Sequence, residues 1–386
     1  MNRWEPTYLQ ALRRDLHRIP ERSGRESLTA RRVVDEMVLA SPDLLLESVG
    51  GHGVVARFES GEPGPHLAFR SELDALPIHE RTDLPYRSIH DGIMHACGHD
   101  GHTAVMVGLA HWVSAHRPPA GSVTVLFQPA EETGEGAARM LEDPRLLALE
   151  LDRLYGFHNI PGRPLGEVLL REGPFACAST GLRFRFKGES SHAAWPAQGR
   201  SPVPLVSSVA ARVPGLGEPD PSSDVHAFAT TTYIQVGEPA FGTQPGEAEM
   251  GVTLRGVSDA AVGEMERQLH EEIGRQAADD GIEWEMQRVE PFPAVVNAPG
   301  PVQRIRAAAG RVGRPCIELE NAYPWSEDVS HFGTRMEVGF FGVGSGEEQP
   351  HLHASRFDFP DGLLGPTREL FTGILLEEWR QSINRK

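Results

Sequence analysis

Leu182-Arg183-Phe184-Arg185-Phe186-Lys187 alternates apolar and cationic side chains, the period of two of a strand with one face on a core and the other in water. The stretch predicts a small sheet of its own. The sequence downstream sets its topology: a helix near 202–213, strands near 226–236 and 248–256, a helix near 259–280 and a strand near 282–289. That β-α-β-β-α-β order is the order of a ferredoxin-like α+β sandwich, placed at 178–290. Outside it the period changes. Tyr8, Leu9, Leu12 and Leu16, then Val33, Val34 and Met37, recur at helical spacing. Short apolar runs at 53–58, 66–69, 123–127 and 154–157 read as strands, with a helix-like stretch from about 103 to 116. The alternation resumes after Pro291. The expectation is an α/β domain, 1–177 and 291–386, with a mostly parallel sheet covered by helices, into which the 178–290 domain is inserted.

The chain has 386 residues, beyond the roughly 250–300 at which one hydrophobic core stops growing, so two domains also follow from length. It is 39% hydrophobic and 24% charged, enough to fold around a core without staples. With 54 acidic against 37 basic residues the net charge is −17, which repels nucleic acid and anionic membrane. Cys97, Cys177 and Cys316 are odd in number and widely spaced, unlike a disulfide framework. The first residues lack a secretory pattern, and no run approaches the roughly 18 apolar residues of a membrane span. These features predict a soluble, cytoplasmic protein that binds neither nucleic acid nor membrane.

The chemistry gathers where predicted strands end. Met94-His95-Ala96-Cys97-Gly98-His99-Asp100-Gly101-His102-Thr103 precedes a helix, and Gly98 permits the tight backbone that aims Cys97 and His99 at one point. A helix cap with incidental histidines is the competing reading. Gln128-Pro129-Ala130-Glu131-Glu132 follows the run 123–127. Beyond the strand both carboxylates can reach one site, where they repel unless a cation neutralises them. One acid then binds metal while its neighbour takes a proton from a metal-activated water; a solvated surface pair is the alternative. His158 follows the run 154–157, and His353 lies in Pro350-His351-Leu352-His353-Ala354-Ser355-Arg356-Phe357-Asp358. Together Cys97, His99, Glu132, His158 and His353 form a soft-to-borderline set suited to zinc, manganese, cobalt or nickel, and not to magnesium or calcium. Two ions sharing a bridging thiolate and a bridging water would use all five. The rival is a set of packed core residues; Cys97 as a nucleophile is disfavoured because neighbouring carboxylates would raise its pKa without metal.

Several ordered motifs carry a resemblance over nearly the whole chain: Leu16-His17-Arg18-Ile19-Pro20-Glu21, Phe69 through Pro77, Met94 through Thr103, Phe127 through Glu132, Gly156-Phe157-His158-Asn159, Ser191-His192-Ala193-Ala194-Trp195-Pro196, Ser326-Glu327-Asp328 and His353 through Asp358. The sequence resembles the two-metal amidohydrolases that include hippurate hydrolase, N-acyl amino acid amidohydrolases and indole-acetyl amino acid hydrolases. The resemblance implies two divalent ions per subunit held by Cys97, His99, Glu132, His158 and His353, with Glu131 as general base. It further implies Asp74 behind the ligands, an inserted lid that makes a homodimer, and His192 reaching toward the active site of the partner subunit to steady the developing oxyanion. Arg255 aligns with a lid arginine, a carboxylate binder or a solvated strand charge. The implied reaction is hydrolysis of the amide of an N-acyl amino acid by a metal-activated water. Alternatives are a dipeptidase or aminopeptidase on the same site, and a non-catalytic binding protein that keeps the fold. Two departures stand out: Ser71-Glu72 replaces the usual Ala-Asp, and Gly242 occupies the place of an Asn.

Overall fold

The apolar runs around Val123, Leu154 and Phe340 lose contact with water on both faces because they form the middle of one sheet. In the computed structural model, which describes residues 2–384, this sheet has eight strands. Their spatial order is Leu44–Val49, Gly53–Glu59, Ser122–Gln128, His66–Glu72, Arg153–Ile160, Glu337–Gly344, Val168–Leu170 and Cys316–Glu318. The four neighbours from Ser122–Gln128 to Glu337–Gly344 run parallel, whereas the pairings that join Gly53–Glu59 and Val168–Leu170 to this centre are antiparallel. The sheet is thus mostly parallel, as its apolar runs predict. The strands Leu44–Val49 and Glu337–Gly344 are not among the individual runs read as strands from the sequence. Helices Ser27–Ala40 and His99–Ala115 pack against the sheet, the latter buried over almost its whole length.

Register positions the chemistry. Glu72 lies opposite Gln128 at the ends of parallel strands, so the loops bearing Asp74 and Glu131 leave the sheet side by side. His158 sits near the same end of Arg153–Ile160, opposite Gly342.

The chain divides into two compact units, one formed by Met1–Phe175, Val295–Leu319 and Asp328–Lys386, the other by Ala176–Ala294 and Glu320–Glu327. The second unit holds strands Ala178–Lys187, Ala227–Val236, Glu247–Gly256 and Glu283–Phe292 with helices Val203–Arg212 and Asp259–Asp280. Numbered along the chain, its antiparallel strands lie in the order 4-1-3-2, the ferredoxin-like arrangement. Leu182, Phe184 and Phe186 are buried in its core, while Arg185 and Lys187 face water. Ser258 caps the long helix through the Ala261 N–H, and Gly281 ends it with φ 64°. The segment Glu320–Glu327, expected with the larger domain, groups with this unit instead. The Cys177 N–H bridges to the Tyr323 and Trp325 carbonyls at 2.9 and 3.0 Å, a tie across sequence that local periodicity does not register. Among the described residues no helix is long and apolar enough to cross a membrane.

Away from the sheet edge, buried Glu36 accepts hydrogen bonds from Tyr8 (2.6 Å), Arg32 (2.6 Å) and His111 (3.0 Å). Burial alone would push its carboxyl up, but these donors outweigh burial and lower it from 4.5 to about 2. A depressed folded-state pKa stabilises the fold fully above the unfolded value, and the contribution disappears as pH falls through the folded value. Denaturant titrations from pH 6 to pH 2 should therefore show a loss of stability across the window from 4.5 to about 2 that is smaller in Glu36→Gln.

Candidate metal centre

Gly98 takes φ 99° at the start of helix His99–Ala115, and an added Cβ would lie 2.4 Å from Asn159 Oδ1. Only glycine fits there, and the turn it makes sets Cys97 and His99 on one side. The Cys97 Sγ lies 3.2 Å from His158 Nε2. His99 Nε2 is 3.9 Å from Glu132 Oε1, and His353 Nε2 is 3.7 Å from Glu132 Oε2. Three overlapping groups bring their ligand atoms within 4.8 Å of one another: Cys97, His99 and His158; Cys97, Glu132 and His353; His99, Glu131 and Glu132. All six residues belong to one compact unit. Cys97, His99, Glu131 and His158 are buried, Glu132 is nearly so, and His353 is exposed.

Second bonds orient the imidazoles. His158 Nδ1 donates to the Asn159 carbonyl at 2.9 Å and His99 Nδ1 donates to the Asp74 carbonyl at 2.9 Å, so both direct Nε2 inward. Asp74 also accepts from Ser23 Oγ (2.7 Å) and the Glu132 N–H (3.0 Å), tying two ligand loops together. His353 adopts φ 64° and its N–H is held by the Ala96 carbonyl at 2.8 Å.

The profile of peptidase family M20/M25/M40 matches residues 68–377. The chain belongs to that family. It is 32% identical over 357 residues to the N-acetylcysteine deacetylase of Bacillus subtilis, covering 91% of this chain and 92% of that protein. Over 199 residues it is 35% identical to the N-acetyldiaminopimelate deacetylase of Anoxybacillus flavithermus, about half of each chain, at 51% and 52%. A solved Bacillus subtilis protein described as a dinuclear metal binding peptidase of the M20 family superposes with TM-score 0.82 at 27% identity, over 96% of this chain and 97% of that one. The protein is a metal-dependent amidohydrolase.

The donor set of this M20 hydrolase fits metal on its own chemistry. His99 Nε2 and Glu132 Oε1 are buried and have no hydrogen-bond partner among the described residues, an arrangement that costs free energy unless something else binds them. Five carboxylates, Glu72, Asp74, Glu131, Glu132 and Asp328, are buried or nearly so, and Arg70 pairs with two of them, Glu72 and Asp328. Burial, opposed by His99 and reinforced by Asp74, raises the Glu132 carboxyl to about 7. Burial disfavours a charge on His99 too, yet the Asp74 hydrogen bond and the surrounding acids raise it to about 10. The field at this point favours positive charge. His158, by contrast, is held well below its usual range by burial, which favours the neutral imidazole a metal ligand needs.

Sequence reasoning missed the layer beneath. His102 Nδ1 donates to Glu72 Oε2 at 2.7 Å and its Nε2 lies 2.6 Å from Asn159 Oδ1. Glu72 also pairs with Arg70, which reaches Asp328 at 2.8 Å, and the Asp328 N–H points at Glu131 Oε1 at 3.4 Å. The longer acid at position 72 therefore engages this layer. In the second unit, exposed His192 lies on a two-residue ribbon with Thr243–Gln244, and the Gly242 carbonyl accepts the Ala193 N–H at 3.0 Å. Arg255 donates to the Pro324 carbonyl (3.1 Å) and Ser326 Oγ (3.2 Å).

Asp74→Ala removes the carboxylate that accepts the Glu132 N–H and the Ser23 hydroxyl while leaving the backbone carbonyl that orients His99, and such supporting partners typically change metal affinity by about 10- to 100-fold. Competition against a chelator should show metal retention weakened by about that factor in Asp74→Ala, with circular dichroism unchanged.

Proposed function

We propose that the protein hydrolyses the amide bond of N-acyl amino acids, with Glu131 as general base. The observation that carries this reading is a second buried carboxylate set within 4.8 Å of the His99 and Glu132 ligand atoms. The two relatives named for N-acetylated amino acids point to the same substrate class.

Cys97, His99, Glu132, His158 and His353 would hold two divalent ions, for which manganese, zinc, cobalt or nickel suit the donors. When bound, such ions supply Lewis acidity, which makes a water acidic near neutral pH and polarises an amide carbonyl. Glu131 takes the proton of the attacking water and later delivers it to the departing nitrogen. Asp74 keeps His99 and Glu132 in place meanwhile. His192 is the donor to the developing oxyanion: its Nδ1 accepts the Ala194 N–H at 3.0 Å, so in the neutral ring the proton sits on Nε2. Arg255 anchors the carboxylate of the substrate; burial lowers its pKa, and among the described residues no carboxylate pairs with it.

The domains are read as a catalytic part, 1–177 and 291–386 without Glu320–Glu327, and a lid, 178–290 together with that segment, through which a cytoplasmic homodimer forms and brings His192 to the active site of the partner subunit. Supporting this, strand Ala227–Val236 lies at the edge of its sheet and exposes Tyr233 and Ile234.

Hydrolysis of N-acetyl and N-benzoyl amino acids, with each of the four metals supplied in turn, tests the reading; cleavage of free dipeptides alone overturns it. Glu131→Gln should retain metal at the wild-type ratio while kcat falls by at least about 100-fold, and a variant that stays active removes Glu131 from the role.

A further inference from the structure

Ala130 immediately precedes the Glu131-Glu132 pair and sits at φ 50°, the left-handed region that non-glycine residues rarely occupy. A backbone held there needs support from its surroundings. The support comes from far away in sequence. Glu26, fully buried between the first two helices, accepts the Ala130 N–H on Oε1 at 2.8 Å and the Gly24 N–H on the same oxygen at 2.7 Å. The Ala130 carbonyl in turn accepts the Gly136 N–H at 3.1 Å, so both sides of the residue are fixed. Three residues before Glu26, Ser23 bonds Asp74, which holds the Glu132 N–H. The loop that carries Ser23 and Glu26 therefore grips the acidic pair at two successive points.

We infer that Glu26 is a positioning residue, whose Oε1 holds Ala130 in its left-handed conformation and thereby aims Glu131 and Glu132 into the metal centre. The inference rests on the roles proposed above for those two acids. What Glu26 supplies is one acceptor oxygen at a fixed reach, not a charge. Its Oε2 is buried and makes no hydrogen bond among the described residues, and burial followed by the Asp74 charge raises its carboxyl pKa. A neutral amide should do as well, a shorter acid should not, and a glycine at 130 should lessen the need for the clamp.

The test compares Glu26→Gln, Glu26→Asp, Glu26→Ala, Ala130→Gly and the double variant Glu26→Ala/Ala130→Gly. In the metal-free protein, hydrogen exchange at the residue 130 amide should quicken by about tenfold or more in Glu26→Asp and Glu26→Ala and stay slow in Glu26→Gln. Titration with Co2+ should show affinity about 10- to 100-fold weaker in Glu26→Asp and Glu26→Ala, and near wild type in Glu26→Gln. In the loaded enzyme, kcat for an N-acetyl amino acid should fall by a similar factor with KM unchanged. Ala130→Gly alone should behave as wild type, and the double variant should recover most of the kcat and Co2+ affinity lost in Glu26→Ala. Unchanged exchange at residue 130 in both Glu26→Ala and Glu26→Asp would overturn the inference. So would a Glu26→Asp that matches wild type while Glu26→Gln fails, or faster exchange with Co2+ affinity and kcat unaltered. A wild type inactive on every N-acyl amino acid defeats the proposed function, and exchange together with Co2+ affinity still decides the clamp.

Discussion

Like charges packed at one end of a sheet are the constraint on which the rest of this structure depends. Glu72, Asp74, Glu131, Glu132 and Asp328 are buried or nearly so at this end, where the Arg70 guanidinium pairs with Glu72 and Asp328. Carboxylates removed from water repel one another and lose hydration, and in the absence of added positive charge some must take up protons. The raised carboxyl of Glu132 and the raised imidazole of His99 are two consequences of the same imbalance. Divalent cations between them would resolve it directly. The centre is thus unfavourable by itself, and the surrounding fold has to hold it together.

It does so through backbone. The parallel register of His66–Glu72 against Ser122–Gln128 delivers two acidic loops from one edge, and Asp74 then bonds both the Glu132 N–H and the neighbourhood of His99. Two residues in this region, Ala130 and His353, are non-glycine residues at positive φ, and each has its N–H pinned by a distant acceptor, Glu26 Oε1 and the Ala96 carbonyl. Strain at a site persists only where neighbours over-determine the conformation. Here each anchor lies on a different loop from the residue it holds, so the ligands are fixed relative to one another.

How much of this is legible in the sequence depends on the range of each interaction. The alternation of Leu182, Phe184 and Phe186 with basic residues reports a half-buried strand through its immediate neighbours, and the ferredoxin-like order follows the same local signals. Cys97, His99, Glu132, His158 and His353 are readable as ligand candidates because their chemistry is conspicuous and each stands at an element's end. Glu26 is not readable in that way. A glutamate between two amphipathic helices looks like a solvated loop residue, and nothing nearby announces a partner over a hundred positions away. The His102, Glu72 and Asn159 network is hidden for a similar reason: it is made of ordinary polar residues whose only distinction is where the sheet brings them. The Glu320–Glu327 segment is tied to the inserted unit by the Cys177 N–H on two carbonyls and by Arg255 on Pro324 and Ser326, contacts between distant positions that local periodicity does not register.

Position 72 shows how such a hidden layer constrains substitution. A longer acid in place of Asp would be disruptive if its only task were to sit near a ligand, because the extra methylene would have to displace something in a packed interior. In this chain the added reach places one carboxylate oxygen on Arg70 and the other 2.7 Å from His102 Nδ1. Arg70 is shared with Asp328 at 2.8 Å, and Gln128 bonds both Arg70 and Asp328. The acid at 72 is thus one end of a chain that passes through a guanidinium to Asp328, whose N–H faces Glu131. A charge removed at any point leaves an uncompensated buried partner, which costs more than the bond itself. The substitution is therefore tolerated because its partners are arranged to receive it, and the same arrangement holds the network around Glu131 in one configuration.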